Sequence, residues 1–460
     1  MNAAGTRLDV DLGLIRKYDR PGPRYTSYPT APHFTGEFGP ADFLASLESG
    51  NGSNRPLSLY FHLPFCAKLC YFCGCTMTVT RNRDRISEYL DYLIRDTQFF
   101  ARHTGNRPVT QVHWGGGTPT YLTPEETRRL GEAIQNFYNI APGAEMGVEV
   151  DPRQVSREHY QALLDTGFNR ISMGVQDFHE PTQKAVNRIQ PEAMTRTFVQ
   201  MARDMGFESV NLDFIYGLPF QTRETFARTI DKLIDIRPDR IALFNYAHVP
   251  WMKKHQNVLK EETLPPADEK LAIFKYAIET LTSAGYVFIG MDHFALPEDS
   301  MSRALHNKTL YRNFQGYSTH AECDLIAHGM SGISQTADTY AQNTKEYAAY
   351  FAAVAAGRPA TERGYKLNSD DLLRRDVITR LMCDFELDYD FFNNKYGIDF
   401  KELFSDALAD LEPMAFDGLV RLRPEGLEVT DTGRLLIRNL AMPFDRYLRE
   451  STNTRFSRTI

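Results

Sequence analysis

Four of the chain's six cysteines fall within ten positions, in the stretch HLPFCAKLCYFCGC from His62 to Cys75. Cys66, Cys70 and Cys73 form a C-x3-C-x2-C triplet, and Cys75 follows one glycine later. Closely spaced thiols serve structural zinc or an iron–sulfur cluster. Structural zinc takes four ligands in a closed tetrahedron, commonly from two separated pairs. Here three thiols come together, Cys323 and Cys383 are remote, and Cys73 and Cys75 make an awkward pair for one ion. A cubane cluster held by three thiolates leaves one iron open to an outside ligand, which is a catalytic device. The cluster is the preferred reading, and a zinc-stabilised binding module the alternative. Three disulfides are arithmetically possible, but the clustering disfavours them in a reducing compartment.

Other chemistry-bearing residues stand where apolar runs end: GGGTPT (115–120), EVDP (149–152), GVQDF (174–178), NLDFIYGLP (211–219), FNYAH (244–248) and GMDHF (290–294). Glu149, Gln176 and Asp213 each fall at such a tip. Helix capping accounts for some of these polar residues. Parallel α/β folds build their sites at the carboxyl ends of strands, which accounts for the whole set.

The positioning elements follow from period and punctuation. Expected strands are 57–63, 109–115, 145–150, 170–175, 209–215, 240–246 and 286–291, separated by helical segments such as DRISEYLDYLIRDTQFF and TPEETRRLGEAIQNFY. Thr123, Pro124 and Glu126 spell a capped helix start. Alternating strands and helices predict a parallel sheet with right-handed crossovers, as a (β/α) partial barrel of about six strands. That core is expected over 56–300. Residues 1–55, with RPGPRYTSYPTAP, read as an extended arm, 301–369 as a barrel extension or linker, and 370–460 as a mostly helical, winged-helix-like domain. Asp and Glu interspersed with the arginines of that last unit make packing or a lid its expected role, rather than DNA binding.

Composition excludes several classes. With 42% hydrophobic and 24% charged residues the chain is of the globular kind. A net charge of -7 argues against a dedicated nucleic-acid binder. The sequence has no apolar run near the ~20 residues of a membrane span and no signal-peptide core at its start, so a cytoplasmic monomer without membrane association is expected.

The cysteine triplet just after a first barrel strand, with Phe72 inside it and the glycine run GGGTPT, resembles the radical S-adenosylmethionine (SAM) enzymes. GPRYTSYPTA, LSLYFHLPFCAKLCYFCGC, VHWGGGTPTYL, VEVDPR, GFNRISMGVQDF, NLDFIYGLPFQT, FNYAHVP, IGMDHFA, RNFQGY and the ending FSRTI further resemble the oxygen-independent coproporphyrinogen III oxidase (dehydrogenase) family along nearly the whole chain. The resemblance implies one [4Fe-4S] cluster on Cys66, Cys70 and Cys73. It implies two SAM molecules, one on the open iron and one adjacent. It also implies oxidative decarboxylation of two propionates of coproporphyrinogen III to vinyl groups, giving protoporphyrinogen IX in heme biosynthesis, through a 5'-deoxyadenosyl radical and with an unidentified electron donor.

Carried over by motif, Tyr60, Gly116, Glu149, Ala247 and Ile333 should touch the cluster-bound SAM. Phe72, Gly117, Thr118, Gln176, Arg188 and Asp213 should touch the second. Core packing is the competing role for Tyr60, Ala247 and Ile333. No side chain is assigned as a catalytic acid or base, since the cofactors carry the chemistry. His62 is either near the cluster or a satisfied strand histidine. Arg24 and Arg312 are candidates for substrate propionates, and the arm for a flap. Heme-binding chaperones of the same superfamily are the competing class. They lack the GPRYTSYPTA arm and follow the third cysteine with Asp-Phe, where this chain has Gly-Cys, so Cys75 serves as a marker rather than a ligand.

Overall fold

The computed structural model describes residues 7–53, 55–450, 456, 458 and 459. Ser457 and Ile460 of the FSRTI ending, and the first six residues, lie outside that set. One twelve-stranded sheet organises the molecule. Its strands in chain order are β1 (Leu57–Leu63), β2 (Pro108–Gly116), β3 (Asn139–Val150), β4 (Arg170–Gln176), β5 (Ser209–Tyr216), β6 (Arg240–Asn245), β7 (Val287–Gly290), β8 (His293–Ala295), β9 (Asp324–His328), β10 (Ile333–Gln335), β11 (Thr339–Asn343) and β12 (Thr361–Lys366). The spatial order is β12-β11-β10-β9-β1-β2-β3-β4-β5-β6-β8-β7. β1 to β6 pair in parallel, and β9 adds a seventh parallel strand beside β1. This is the partial α/β barrel expected from the sequence.

Alternation explains both faces of the parallel strands. Leu59, Phe61, Trp114, Val148, Ile171, Met173, Val210, Leu212, Phe214 and Ile241 join one apolar core with the crossover helices. Trp114 packs edge-on to Phe168 at 4.5 Å. The intervening residues, such as Glu149, Ser172, Gln176, Asn211 and Asp213, face the barrel interior and line one cavity. Helices Arg83–Arg102 and Pro124–Phe137 fall where the periodicity puts them, and Thr123 and Glu126 close the expected capping box.

Three departures stand out. The stretch expected as a single strand at 286–291 belongs to a hairpin whose second arm, β8, pairs antiparallel with β6 and displaces β7 to the edge. Residues 324–366 supply four strands to the main sheet. The segment read as extended holds helices Leu12–Tyr18 and Pro40–Ser49. Helix Ser369–Asp384, helix Ser405–Phe416 and the hairpin Val420–Arg423/Gly426–Val429 form the helical unit with its small three-stranded sheet. Among the described residues no helix is long and apolar enough to cross a membrane.

Candidate active site at the carboxyl end of the barrel

The cysteine loop is closed at its base. Strand Phe65–Cys66 pairs with Thr78–Val79, and Thr80 N–H donates to the Cys66 carbonyl at 3.2 Å. The loop's backbone is then held from two sides. Asn187 donates to the Leu69 carbonyl at 2.7 Å, and Tyr71 N–H to that of Val186 at 3.0 Å. His255 donates to the Cys73 carbonyl at 2.7 Å, Gln256 to that of Phe72 at 3.0 Å and Lys253 to that of Cys75 at 2.9 Å. The sequence offered no signal for this 253–256 clasp beyond its polar composition.

The sulfurs meet donors. Thr118 Oγ1 lies 3.4 Å from Cys66 Sγ, and burial pushes the Cys66 thiol up to about 11. The Arg153 guanidinium grips Asp151 through contacts of 2.9, 3.2 and 2.6 Å and turns Nη2 toward Cys70 Sγ at 3.6 Å. Arg188 also binds Asp151, at 3.1 Å, and reaches the same sulfur at 3.8 Å. Burial alone would raise the Asp151 carboxyl, but Arg188 and Arg153 hold it below the usual range. Cys75 shares a hydrogen bond with Cys73 that lowers the Cys73 thiol and raises its own.

Among the described residues no three His, Cys, Asp or Glu side chains converge tightly enough for one metal ion. Cys66, Cys70 and Cys73 nevertheless border one small cavity of about 150 Å³ with Gly117 and Thr118, and Cys75 borders it too. Thiols spread around a shared space suit a cluster whose irons each take one sulfur.

Two larger cavities adjoin the loop. One of about 340 Å³ is lined by Tyr60, Gly116, Glu149 and Ile333. The other, of about 600 Å³, is lined by Phe72, Gly117, Thr118, Gln176, Arg188 and Asp213, and also by Ala247. The two sets implied by resemblance therefore separate into two cavities, with Ala247 falling on the other side from its expected set. Glu149 borders both.

Local structure explains the positions. Glu149 accepts the Gly116 N–H at 3.2 Å. A Cβ on Gly117 would sit 2.6 Å from the Pro64 carbonyl carbon, and Gly116 has φ of +113°, so the run must be glycine to pass so close to β1. Gln176 is in the left-handed region with φ of 73°, at a register shift between β4 and β5 that turns its side chain inward. Asp213 is held by Asn211 at 2.6 Å and Ser172 at 3.1 Å, and burial with the nearby Glu149 charge raises its carboxyl to about 6. Tyr60 stacks on His113, with rings 6.1 Å apart and 12° from parallel.

His62 is a satisfied strand histidine. Nε2–H donates to the Thr76 carbonyl at 2.9 Å, Nδ1 accepts from Tyr60 at 3.1 Å, and burial keeps the ring neutral by lowering its pKa. The VEVDPR motif carries no expected role for Asp151 or Arg153. A carboxylate and a guanidinium two residues apart at a strand tip was the available signal.

A parallel-strand partial barrel with a C-x3-C-x2-C triplet on the loop after its first strand is the architecture of a radical SAM enzyme. The model of the Radical SAM superfamily matches residues 60–233, and that of the HemN C-terminal domain residues 367–436. An oxygen-independent coproporphyrinogen III oxidase of Pseudomonas aeruginosa is 46% identical over 453 residues, covering 98% of both chains. That of Escherichia coli K12 is 46% identical over 455 residues, covering 99% of both. The solved structure described as "Coproporphyrinogen III oxidase (HemN) from Escherichia coli is a Radical SAM enzyme" superposes with a TM-score of 0.91 at 45% identity, over 96% of this chain and 100% of that one. The chain belongs to the oxygen-independent coproporphyrinogen III oxidase family.

Proposed function

We propose that the chain oxidatively decarboxylates two propionate side chains of coproporphyrinogen III to vinyl groups, giving protoporphyrinogen IX in heme biosynthesis without oxygen. The observation that carries this reading is the pair of cavities flanking Glu149 beside one loop that carries the cysteine triplet. They provide room for two SAM molecules next to one [4Fe-4S] cluster on Cys66, Cys70 and Cys73. Bound there, cluster and cofactor would supply the one-electron cleavage that yields a 5'-deoxyadenosyl radical. With that chemistry supplied, each propionate would lose a β-hydrogen atom, CO2 and one electron to an acceptor, leaving a vinyl group.

The chain's own residues bind, orient and exclude water. Thr118 directs a donor at the Cys66 sulfur, opposing the burial that raises that thiol, and Arg153 and Arg188 direct donors at the Cys70 sulfur. Glu149 and Asp213 are placed for ammonium or ribose hydroxyls, and Arg188 for a carboxylate. Tyr60 and Ile333 offer apolar walls to the smaller cavity. Cys75 donates toward Cys73 and stays outside the ligand set. We assign residues 1–55 as an arm, 56–300 as the barrel, 301–369 as its extension and 370–460 as the C-terminal unit, acting as a cytoplasmic monomer served by a separate electron donor.

A heme chaperone is the competing reading. Anaerobic incubation of the reconstituted protein with heme discriminates the two. Little retained heme supports the enzyme, and stoichiometric retention without any vinyl product supports the chaperone. Equilibrium binding should also count two SAM per chain; one would contradict the two-cavity assignment.

A further inference from the structure

Three guanidinium groups meet where the N-terminal arm, the barrel rim and the C-terminal unit join. Arg438, only 3% exposed, donates to the carbonyls of Gly22 and Pro23, the latter at 2.8 Å, and so fixes the backbone that carries Arg24. Arg24 pairs with Asp292, in the turn between β7 and β8. Arg312 lies on the hairpin Tyr311–Asn313/Gly316–Ser318, donates Nε–H to the Arg24 carbonyl at 3.4 Å and stacks 4.8 Å from the Tyr317 ring.

The charges do not balance. Among the described residues Asp292 is the one carboxylate within ion-pair distance of any of the three. Arg312 is 6% exposed, pairs with no acid, and its Nη1 has no hydrogen-bond partner. Burial, Arg312 and Arg438 bring the Arg24 pKa down to about 9, still cationic at neutral pH. His293 Nδ1 is likewise buried without a partner. An uncompensated buried cation is costly, and buried charges are normally paired with an ion or a ligand. His293 and Tyr317 also line the 600 Å³ cavity, and Gln315, at the turn of the hairpin carrying Arg312, borders both cavities. The arginines do not line the 600 Å³ cavity themselves, and the cluster adjoins it through His293, Gln315 and Tyr317.

We propose that Arg312 and Arg24 form a carboxylate-binding site which holds a propionate of the tetrapyrrole substrate, with Asp292 occupying Arg24 until that carboxylate arrives. The assignment rests on the functional reading above and adds the residues that recognise the substrate's acid groups. The arm thereby becomes part of the site, because Arg438 fixes Arg24 against the barrel. A SAM carboxylate has the same chemistry, so the test must separate the two sources.

The test uses the reconstituted holoenzyme under anaerobic conditions. KM for coproporphyrinogen III and inhibition by coproporphyrin III and by its tetramethyl ester are measured in wild type, Arg312→Gln, Arg312→Lys and Asp292→Asn. Loss of a charge-assisted contact predicts that Arg312→Gln raises KM and weakens coproporphyrin III inhibition about tenfold or more. Inhibition by the ester should stay within about twofold, and Arg312→Lys should recover part of the loss. Asp292→Asn should act oppositely and tighten coproporphyrin III, an outcome that a purely structural role for the ion pair does not give. It also keeps the proposal testable if Arg312→Gln fails to retain its fold and iron. Equal loss for acid and ester, or a loss confined to SAM affinity, overturns the site. If wild type converts no coproporphyrinogen at all, the functional reading fails; if it converts it and the variants match it, only the site fails.

Discussion

Glu149 accepts the Gly116 N–H at 3.2 Å, with its side chain at the boundary between the two larger cavities. One carboxylate thus ties the tip of β3 to the glycine run and faces both cavities proposed to hold SAM. Glu149→Gln keeps the shape and an acceptor but removes the charge. It should weaken SAM binding about tenfold, while iron content stays at the wild-type level. Equal SAM affinity in the two proteins would remove Glu149 from the cofactor site.

Arg153 links Asp151 to Cys70. Arg153→Ala leaves Asp151 with Arg188 alone and removes one cationic donor from the sulfur. The cluster should form, but with a lower reduction potential, since N–H groups directed at sulfur stabilise the reduced, more negative state. Potentiometry followed by electron paramagnetic resonance reads this directly. A potential equal to or above the wild-type value would show that the contact does not tune the cluster.

Asp213 gives a pH prediction with a definite sign. Its folded carboxyl titrates at about 6, above the ordinary 3.8, so the folded state binds that proton more tightly than the unfolded chain. The group opposes folding above pH 6, and its penalty is relieved as pH falls from about 6 toward 4. Asp213→Asn should therefore stabilise the cofactor-free protein at pH 8 by about 2 kcal/mol, with little effect near pH 4. In the holoenzyme the same change should flatten a loss of SAM affinity centred near pH 6. Denaturant midpoints at the two pH values check the first part, and a midpoint at pH 8 that does not rise would contradict it.

How far the sequence spoke for this arrangement depends on alternation. β1 to β6 were legible because apolar residues face the helices and polar ones the interior at period two. The 286–291 run could not reveal its partner. Met291 takes φ of 53° and turns the chain, and β8 then inserts beside β6. Residues 324–366 escaped because β9 and β11 are buried along their whole length and carry polar residues. Asp324 is buried against Arg107 at 2.6 Å, and Asn343 donates to the Gly329 carbonyl at 2.8 Å. Such satisfied core polars look like loop composition in a bare sequence. The cysteine triplet was legible as spacing, whereas the clasp from residues 253–256 depends on a tertiary approach that no local pattern encodes.

Cys75→Ser tests the ligand count. Cys75 stands outside the proposed ligand set, so the variant should reconstitute with the same iron and sulfide per chain as wild type. Cys66→Ser, Cys70→Ser and Cys73→Ser should each lose most of it. A Cys75→Ser protein without its cluster would move that thiol into the ligand set.

The most direct test of the account as a whole is anaerobic turnover. The reconstituted protein is given a reductant, SAM and coproporphyrinogen III, and the tetrapyrroles are separated after oxidation to porphyrins. The account predicts the divinyl product, two CO2 per substrate consumed, and methionine formed alongside. Unchanged coproporphyrin from a protein that carries its full cluster and binds SAM would contradict it.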